Sequence, residues 1–343
     1  MSSAVAYRPE WIRQDFVDFV LAKIDPVWAW KRVLARVEHI EYLNDGMVKV
    51  VLRPNRHFKT FKPGQFIQLS IRIDGVLHQR CYSIISNPQD NELAIAVKRQ
   101  GLVSNYLAQQ AQRGDVVEIS QAQGEFVLPA MAQSLLFIAS GSGITPMLPM
   151  ITQALQQSSQ PVSLIYFSRD PAFGQLFEQL QQQYPHFVLH VINTTASTDR
   201  LNESTLQHYC ADYVSRETFV CGAPLLMKKA RKIWGEQQAS ERLHQESFLP
   251  AQPDETSTST ERQPVRFRRS QQDFDATGSL LVSAEQAGLK PAHGCRMGIC
   301  NTCVCTKLSG TVRNQLTGEI NDQSNVQIKL CVSEAISPVE IDL

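Results

Sequence analysis

No apolar run in this sequence approaches the length needed to cross a bilayer, and its opening, "MSSAVAYRPEW", lacks a basic stretch leading into an apolar one. A spanning helix and a secretory leader are therefore not expected, and the chain reads as soluble and cytoplasmic. Charge of one sign is missing too, with 33 Lys and Arg against 33 Asp and Glu. Bulk electrostatics thus do not suggest a general nucleic-acid or anionic-membrane binder, and any partner contact must be local. Internal repeats are absent. At 343 residues the chain is too long for one ordinary core, so two or three domains are expected.

The texture changes along the chain. Residues 1–34 read as a helical extension, with Ile12, Phe16, Phe19, Val20 and Ile24 apolar at helical spacing and Pro9 where a first turn tolerates it. Residues 35–131 hold short alternating runs such as "MVKVVLRP", "GQFIQLSI" and "ELAIAVKR" between turn residues, the pattern of an antiparallel β-barrel. Residues 132–250 alternate apolar strands ("SLLFIAS", "VSLIYFS", "FVLHVIN", "ETFVCGA") with helical stretches, which predicts an α/β domain with a parallel sheet. Residues 251–263 are polar and read as a flexible linker. Residues 264–343 form a last domain that opens on a strand, "VRFRRS".

That last domain holds five of the eight cysteines. In a reducing compartment clustered thiols are ligands or catalytic groups before they are disulfides. Cys295, Cys300 and Cys303 give Cys-x4-Cys-x2-Cys and Cys331 follows at a distance, the plant-type spacing for a [2Fe-2S] cluster. Gly294 and Gly298 suit a tight loop around such a cluster. Zinc is the rival reading, but structural zinc usually draws on two separate pairs and only one Cys-x2-Cys is present. A disulfide is the weaker rival. Cys305 reads as a buried bystander.

Three stretches upstream suit nucleotides. In "RCYS", Arg80 can fork onto a phosphate, Tyr82 can stack on a flat ring and Ser83 can hydrogen-bond a ring nitrogen, which together suit a flavin. The plain alternative makes Arg80 a surface charge and Tyr82 a core residue. "GLVSNYL" leads through Gly101, Ser104 and Asn105 into a helix whose free amides suit phosphate. "GSGITP" follows the first strand of the α/β region: Gly141 and Gly143 permit close approach to a pyrophosphate, Thr145 can cap the helix and Pro146 fits its first turn. After the second strand, Ser168 and Arg169 suit the 2'-phosphate of NADPH, while Asp170 would suit NADH.

The segment from Ser279 to Leu343 resembles the plant-type [2Fe-2S] ferredoxin domain, which is α+β and β-grasp in fold. "RCYS", "GLVSNYL", "GEFVLP", "GSGITPM" and "CGAP", taken in order, resemble the ferredoxin-NADP reductase superfamily. The resemblance implies an oxidoreductase in which Arg80 binds flavin phosphate, Tyr82 stacks on the isoalloxazine and Ser83 meets its reactive edge. It places further flavin-phosphate contacts at Gly101, Ser104 and Asn105 and pyridine-nucleotide contacts at Gly141–Pro146, Cys221, Gly222 and Pro224. "CGAP" is one residue longer than the family's "CGP". Glu246 and Phe248 of "ESF" fall where the family meets the nicotinamide, and the plain alternative is a last strand with a core Phe. FAD is favoured over FMN and NADPH over NADH.

The implied chemistry is hydride transfer to a flavin followed by single-electron export through the cluster, with the linker letting the last domain swing toward an acceptor. Reductases of this arrangement feed oxygenases, steroid hydroxylases, hybrid-cluster proteins and membrane fatty-acyl desaturases. "GCRMGICNTC" and the N-terminal extension most resemble the desaturase partners. The N-terminal helix (residues 8–24) is open to two readings: contact with a membrane or a membrane-bound desaturase, and packing across this protein's own barrel. A redox sensor without turnover is the alternative from another class.

Overall fold

In the computed structural model, residues 14–44, 46–90, 92–129, 133–248, 262–298 and 301–343 are described. Helix α1 (Gln14–Ile24) has Asp15 in its first turn and Lys23 in its last, the arrangement the helix dipole favours. The barrel-packing reading made its apolar face the buried one, and the structure reverses this. Asp18 is the buried residue, accepting the Trp30 N–H at 2.7 Å, while Phe16, Phe19, Val20 and Ile24 are exposed. The returning segment explains the reversal. Ala29 and Val33 are buried, Asn55 donates to the carbonyls of Val27 and Arg32, and Arg36 pairs with Asp25, so the barrel wall is already covered where the helix approaches. Pro9 and Ile12 lie outside the described residues.

The barrel is built from β1 (Leu34–Asn44), β2 (Met47–Pro54), β3 (Phe66–Ile73), β4 (Val76–Ser83), β5 (Leu93–Lys98), helix α2 (Leu102–Gln109) and β6 (Val116–Ile119). Among the described residues the strands form a six-stranded antiparallel sheet in the order β4-β3-β6-β1-β2-β5. An Ile84–Ile95 bridge joins its two ends. Alternation assigns the faces: Val48, Val50 and Leu52 of β2 and Leu93, Ile95 and Val97 of β5 fill the barrel. Their neighbours Met47, Val51, Ala94 and Ala96 face outward into a second core shared with the next domain. Burial on both faces is why "ELAIAVK" is nearly continuously apolar.

That next domain comprises β7 (Leu135–Ser140), α3 (Ile144–Gln157), β8 (Val162–Ser168), α4 (Gly174–Gln183), β9 (Phe187–Asn193), α5 (Glu203–Tyr209), β10 (Glu217–Cys221), α6 (Pro224–Glu236) and β11 (Leu243–Glu246). Its strands pair in parallel in the order β11-β10-β7-β8-β9. The chain moves outward from β7 in one direction and resumes at β10 on the other side. The crevice where the order reverses, between the ends of β7 and β10, is where such sheets bind ligands. Phe219 locks the two domains together, with Phe126 edge-on at 5.4 Å and Phe137 stacked at 5.5 Å.

The C-terminal domain comprises β12 (Gln263–Phe267), β13 (Gln272–Ala276), α7 (Leu280–Gln286), β14 (Val304–Ser309), β15 (Val312–Asn314), β16 (Ile320–Asn321), β17 (Val326–Lys329), β18 (Ser333–Ala335) and β19 (Val339–Ile341). Its larger sheet runs β13-β12-β19-β14-β17, with β12 and β19 parallel and the other pairs antiparallel. Crossed by α7, this is the expected α+β arrangement. Of the stretch read as a linker, 251–261 lies outside the described residues and Gln263 opens β12.

Candidate functional site

The end of β4, the start of α2, the turn after β7, the residues after β11 and the loop after α7 converge on one cavity of about 630 Å³. β4 supplies Arg80, Tyr82 and Ser83, since strand pairing with β3 carries this stretch to the barrel mouth. Ser83 is buried and its Oγ has no hydrogen-bond partner in the protein. Such an orphan is costly unless a ligand atom completes it, so the site fits a bound polar ring. Burial raises the Tyr82 hydroxyl well above its usual range, which keeps the ring neutral and suited to stacking. The Ser104 hydroxyl accepts the Gly101 N–H at 2.9 Å and donates to the Gly101 carbonyl at 2.9 Å, so it shapes the turn at the head of α2. Asn105, expected beside it, is exposed and does not line the cavity.

A second cavity of about 960 Å³ opens from the first, sharing Lys98, Gln100, Ser142 and Phe248 with it. It lies over the sheet's switch point and is lined by Ser140, Gly141, Gly222 and, farther out, Ser168, Arg169 and Asp170. Gly222 has φ +153°, and a Cβ there would stand 2.2 Å from the Ser140 Oγ, so only glycine lets the ends of β7 and β10 meet. Lys98, Arg169, Arg200 and Lys229 oppose the single carboxylate of Asp170, a balance that suits a ligand bearing phosphates. Thr145 does not cap α3. Gly143 occupies that position, and the Thr145 hydroxyl donates to the Ser142 carbonyl at 2.9 Å because a three-residue 3-10 turn, Gly141–Gly143, intervenes before the helix. Gly143, Pro146 and Cys221 are buried without lining either cavity, and Pro224 begins α6. Glu246, paired in register with Cys221, is fully buried with Oε2 unpartnered, and burial pushes its carboxyl up to about 8.

The loop after α7 brings Gly294, Cys295, Arg296 and Met297 to the first cavity. Arg296 stands at φ +60° and is held there by both carboxylate oxygens of Glu285, at 2.6 and 2.9 Å. The sulfurs of Cys303 and Cys331 lie 3.3 Å apart and are not joined. Cys300 lies outside the described residues, and among the described residues no group of three or more His, Cys, Asp or Glu side chains is placed to hold a metal. The loop nevertheless fits a cluster. Gly298 has φ +76° and its Cβ would strike Val332 at 2.8 Å and Leu316 at 2.9 Å, the Met297 N–H donates to the Cys295 sulfur at 3.4 Å, and two sulfurs meet without bonding. Cys305 is buried in the domain core, where burial pushes its thiol up to about 12.

Lys98, Gln100, Arg200, Lys229 and Arg296 were not singled out from sequence. Only Lys98 and Gln100 carried a signal, as the residues between a recognised strand and the Gly101 turn.

A flavin-sized cavity, a nucleotide crevice and a cysteine loop meeting at one point define a pyridine-nucleotide-dependent flavin and iron-sulfur reductase. Residues 36–128 match the oxidoreductase FAD-binding domain, residues 137–232 the oxidoreductase NAD-binding domain and residues 266–335 the 2Fe-2S iron-sulfur cluster binding domain. The chain is 30% identical over 341 residues to an NADPH oxidoreductase of Mycobacterium tuberculosis, covering 95% of this chain and 88% of that protein. It is 30% identical over 286 residues to the ferredoxin reductase component of 3-ketosteroid-9-alpha-monooxygenase from the same species, covering 77% and 79%. Phthalate dioxygenase reductase superposes with a TM-score of 0.60 at 25% identity, covering 91% of this chain and 98% of that one. The chain belongs to the ferredoxin-NADP reductase superfamily, in the group that carries a C-terminal [2Fe-2S] ferredoxin domain. It is an NAD(P)H-dependent oxidoreductase with FAD and [2Fe-2S] as cofactors.

Proposed function

We propose that this chain is the reductase component of a terminal oxygenase, taking hydride from NADPH and exporting single electrons through its C-terminal domain. The observation that carries this is the shared boundary of the two cavities. Phe248 and Ser142 line both, and Cys295–Met297 line the first, so a nicotinamide, a flavin and the cluster loop have adjoining places. Bound FAD supplies the exchange between paired and single electrons.

The residues have distinct tasks in this reading. Arg80 anchors flavin phosphate with Gly101 and Ser104, Tyr82 stacks on the ring, and Ser83 satisfies its hydroxyl on the ring's polar edge. Phe248 occupies the boundary the nicotinamide must cross, excluding water until the nucleotide arrives. Gly141 and Gly222 admit the pyrophosphate. Ser168 and Arg169, with Arg200 and Lys229 lining the same cavity, favour a 2'-phosphate and so NADPH. Cys295, Cys300, Cys303 and Cys331 hold the cluster.

An oxygenase acceptor is supported by the relatives: one is the ferredoxin reductase component of a monooxygenase, and the superposed structure is a dioxygenase reductase. A membrane fatty-acyl desaturase is the second reading, favoured by the outward apolar face of α1. Reconstitution of the purified holoprotein with candidate oxygenases and membrane desaturases, following NADPH-dependent product formation, tests both. Turnover with an oxygenase is expected. Turnover with desaturases alone would overturn the acceptor class, and poor reduction of cytochrome c by NADPH would return the sensor reading.

A further inference from the structure

We propose that the outward face of α1, with the segment that follows it, rests on an anionic phospholipid surface and holds the reductase there. This goes beyond the acceptor's identity and does not depend on it. Phe16, Phe19 and Ile24 are 65%, 61% and 67% exposed, Val20 beside them is exposed, and Trp28 and Trp30 extend the patch past the helix. The helix thus buries Asp18, with Val17 and Leu21 half-buried beside it, and leaves the apolar face of Phe16, Phe19, Val20 and Ile24 to solvent. The charges divide in the same way. Asp18 serves the Trp30 N–H, Asp25 pairs with Arg36 and Arg32 pairs with Glu118. Lys23 and Lys31, by contrast, have no ion pair among the described residues and lie over the rings of Phe19 and Trp30, at 5.2 and 4.9 Å. Asp15 is the exposed acid on the helix.

Aliphatic and phenyl groups flanked by tryptophans and by lysines that lie along aromatic rings suit the boundary between acyl chains and headgroups. Anionic lipid complements the two lysines. No helix among the described residues is long and apolar enough to cross a membrane, so the contact is with the surface.

Co-sedimentation of the holoprotein with vesicles of phosphatidylglycerol and phosphatidylethanolamine tests the proposal, with phosphatidylcholine vesicles as comparison. Wild type is expected to pellet with the anionic vesicles, and Phe16→Ser/Phe19→Ser/Ile24→Ser to lose at least tenfold in binding while reducing ferricyanide with NADPH at the wild-type rate. Lys23→Gln/Lys31→Gln is expected to weaken binding to anionic vesicles about fivefold for each lysine removed and to leave the weak phosphatidylcholine binding unchanged. Wild type remaining in the supernatant overturns the proposal. So does a wild-type dimer in gel filtration that the triple variant abolishes, since the face would then be filled by a second copy.

Discussion

The sulfurs of Cys303 and Cys331 stand 3.3 Å apart, unjoined by a disulfide, although they lie 28 positions apart in the chain. The Cys303 sulfur hydrogen-bonded to it, reinforced by burial, holds the Cys331 thiol well above its usual range. As thiolates the two sulfurs would repel at this distance, and bound iron would supply the countercharge that lets both lose their protons. Cys303→Ser or Cys331→Ser should therefore abolish the red-brown visible bands and lower bound iron to near zero, while the yellow flavin spectrum persists. Cys305→Ser should keep both. Loss of the bands in Cys305→Ser and their survival in Cys303→Ser would mean that the ligand set is wrong.

Ser83 offers a sharper test of the flavin site because its Oγ is buried with no protein partner. Removing an orphan relieves a desolvation cost in the empty protein and removes a hydrogen bond in the loaded one. Ser83→Ala should weaken FAD binding by about five- to tenfold and leave the melting temperature of the flavin-stripped protein equal or slightly higher. A clear fall in that temperature with unchanged FAD affinity would assign Ser83 to the fold instead.

Nucleotide choice rests on the cations around Ser168. If Arg169 meets a 2'-phosphate, Arg169→Ala should lower kcat/KM for NADPH by roughly 10- to 100-fold, the worth of a charge-assisted hydrogen bond, and change the NADH value little. Steady-state kinetics with both nucleotides measure this. An unchanged ratio removes Arg169 from the argument.

Much of this arrangement was readable in the residues. Period-two alternation found the barrel strands, and glycine turns after strands found the crevice, because those features are set by local backbone geometry. What escaped depends on how distant surfaces meet. Arg296 lies between two of the expected cluster ligands, yet nothing local shows that Glu285 on α7 grips it where it lines the first cavity. The amphipathicity of α1 was plain, but which side it buries was decided by Asp18 and Trp30, a contact between segments. Thr145 reads as a cap from propensity, but the 3-10 turn Gly141–Gly143 leads directly into α3 and sets its cap at Gly143, two residues earlier, which propensity does not register.

Lys307 is fully buried in the C-terminal domain, and its ammonium donates to the carbonyls of Gly310, Asn321 and Gln323. The side chain ties the loop after β14 to the one before β17. Lys307→Met would leave three carbonyls without this donor at a cost of roughly 3 kcal/mol. The C-terminal domain should then melt first on heating, with the cluster bands bleaching several degrees before flavin release. An interval between the two signals no wider than that of wild type would show that the clip contributes little.

Glu246 gives the fold a predictable pH dependence. Its carboxyl is pushed from 4.5 up to about 8 by burial alone, so the folded chain keeps a proton that the unfolded chain releases. The native state binds more protons throughout that interval, and stability must fall as pH rises from about 5 to 8, by at most about 1.4 kcal/mol per pH unit. Below the unfolded value the contribution is fully present, and above the folded value no more is lost. Glu246→Gln keeps the shape and hydrogen-bonding size of the protonated acid but cannot ionise. The variant should match wild type in melting temperature near pH 5 and exceed it progressively toward pH 8, as measured by differential scanning calorimetry on the holoprotein. Parallel curves would show that Glu246 gives up its proton without cost, and the buried, unpartnered carboxyl would then have to be reaching water or a cation when cofactors are bound.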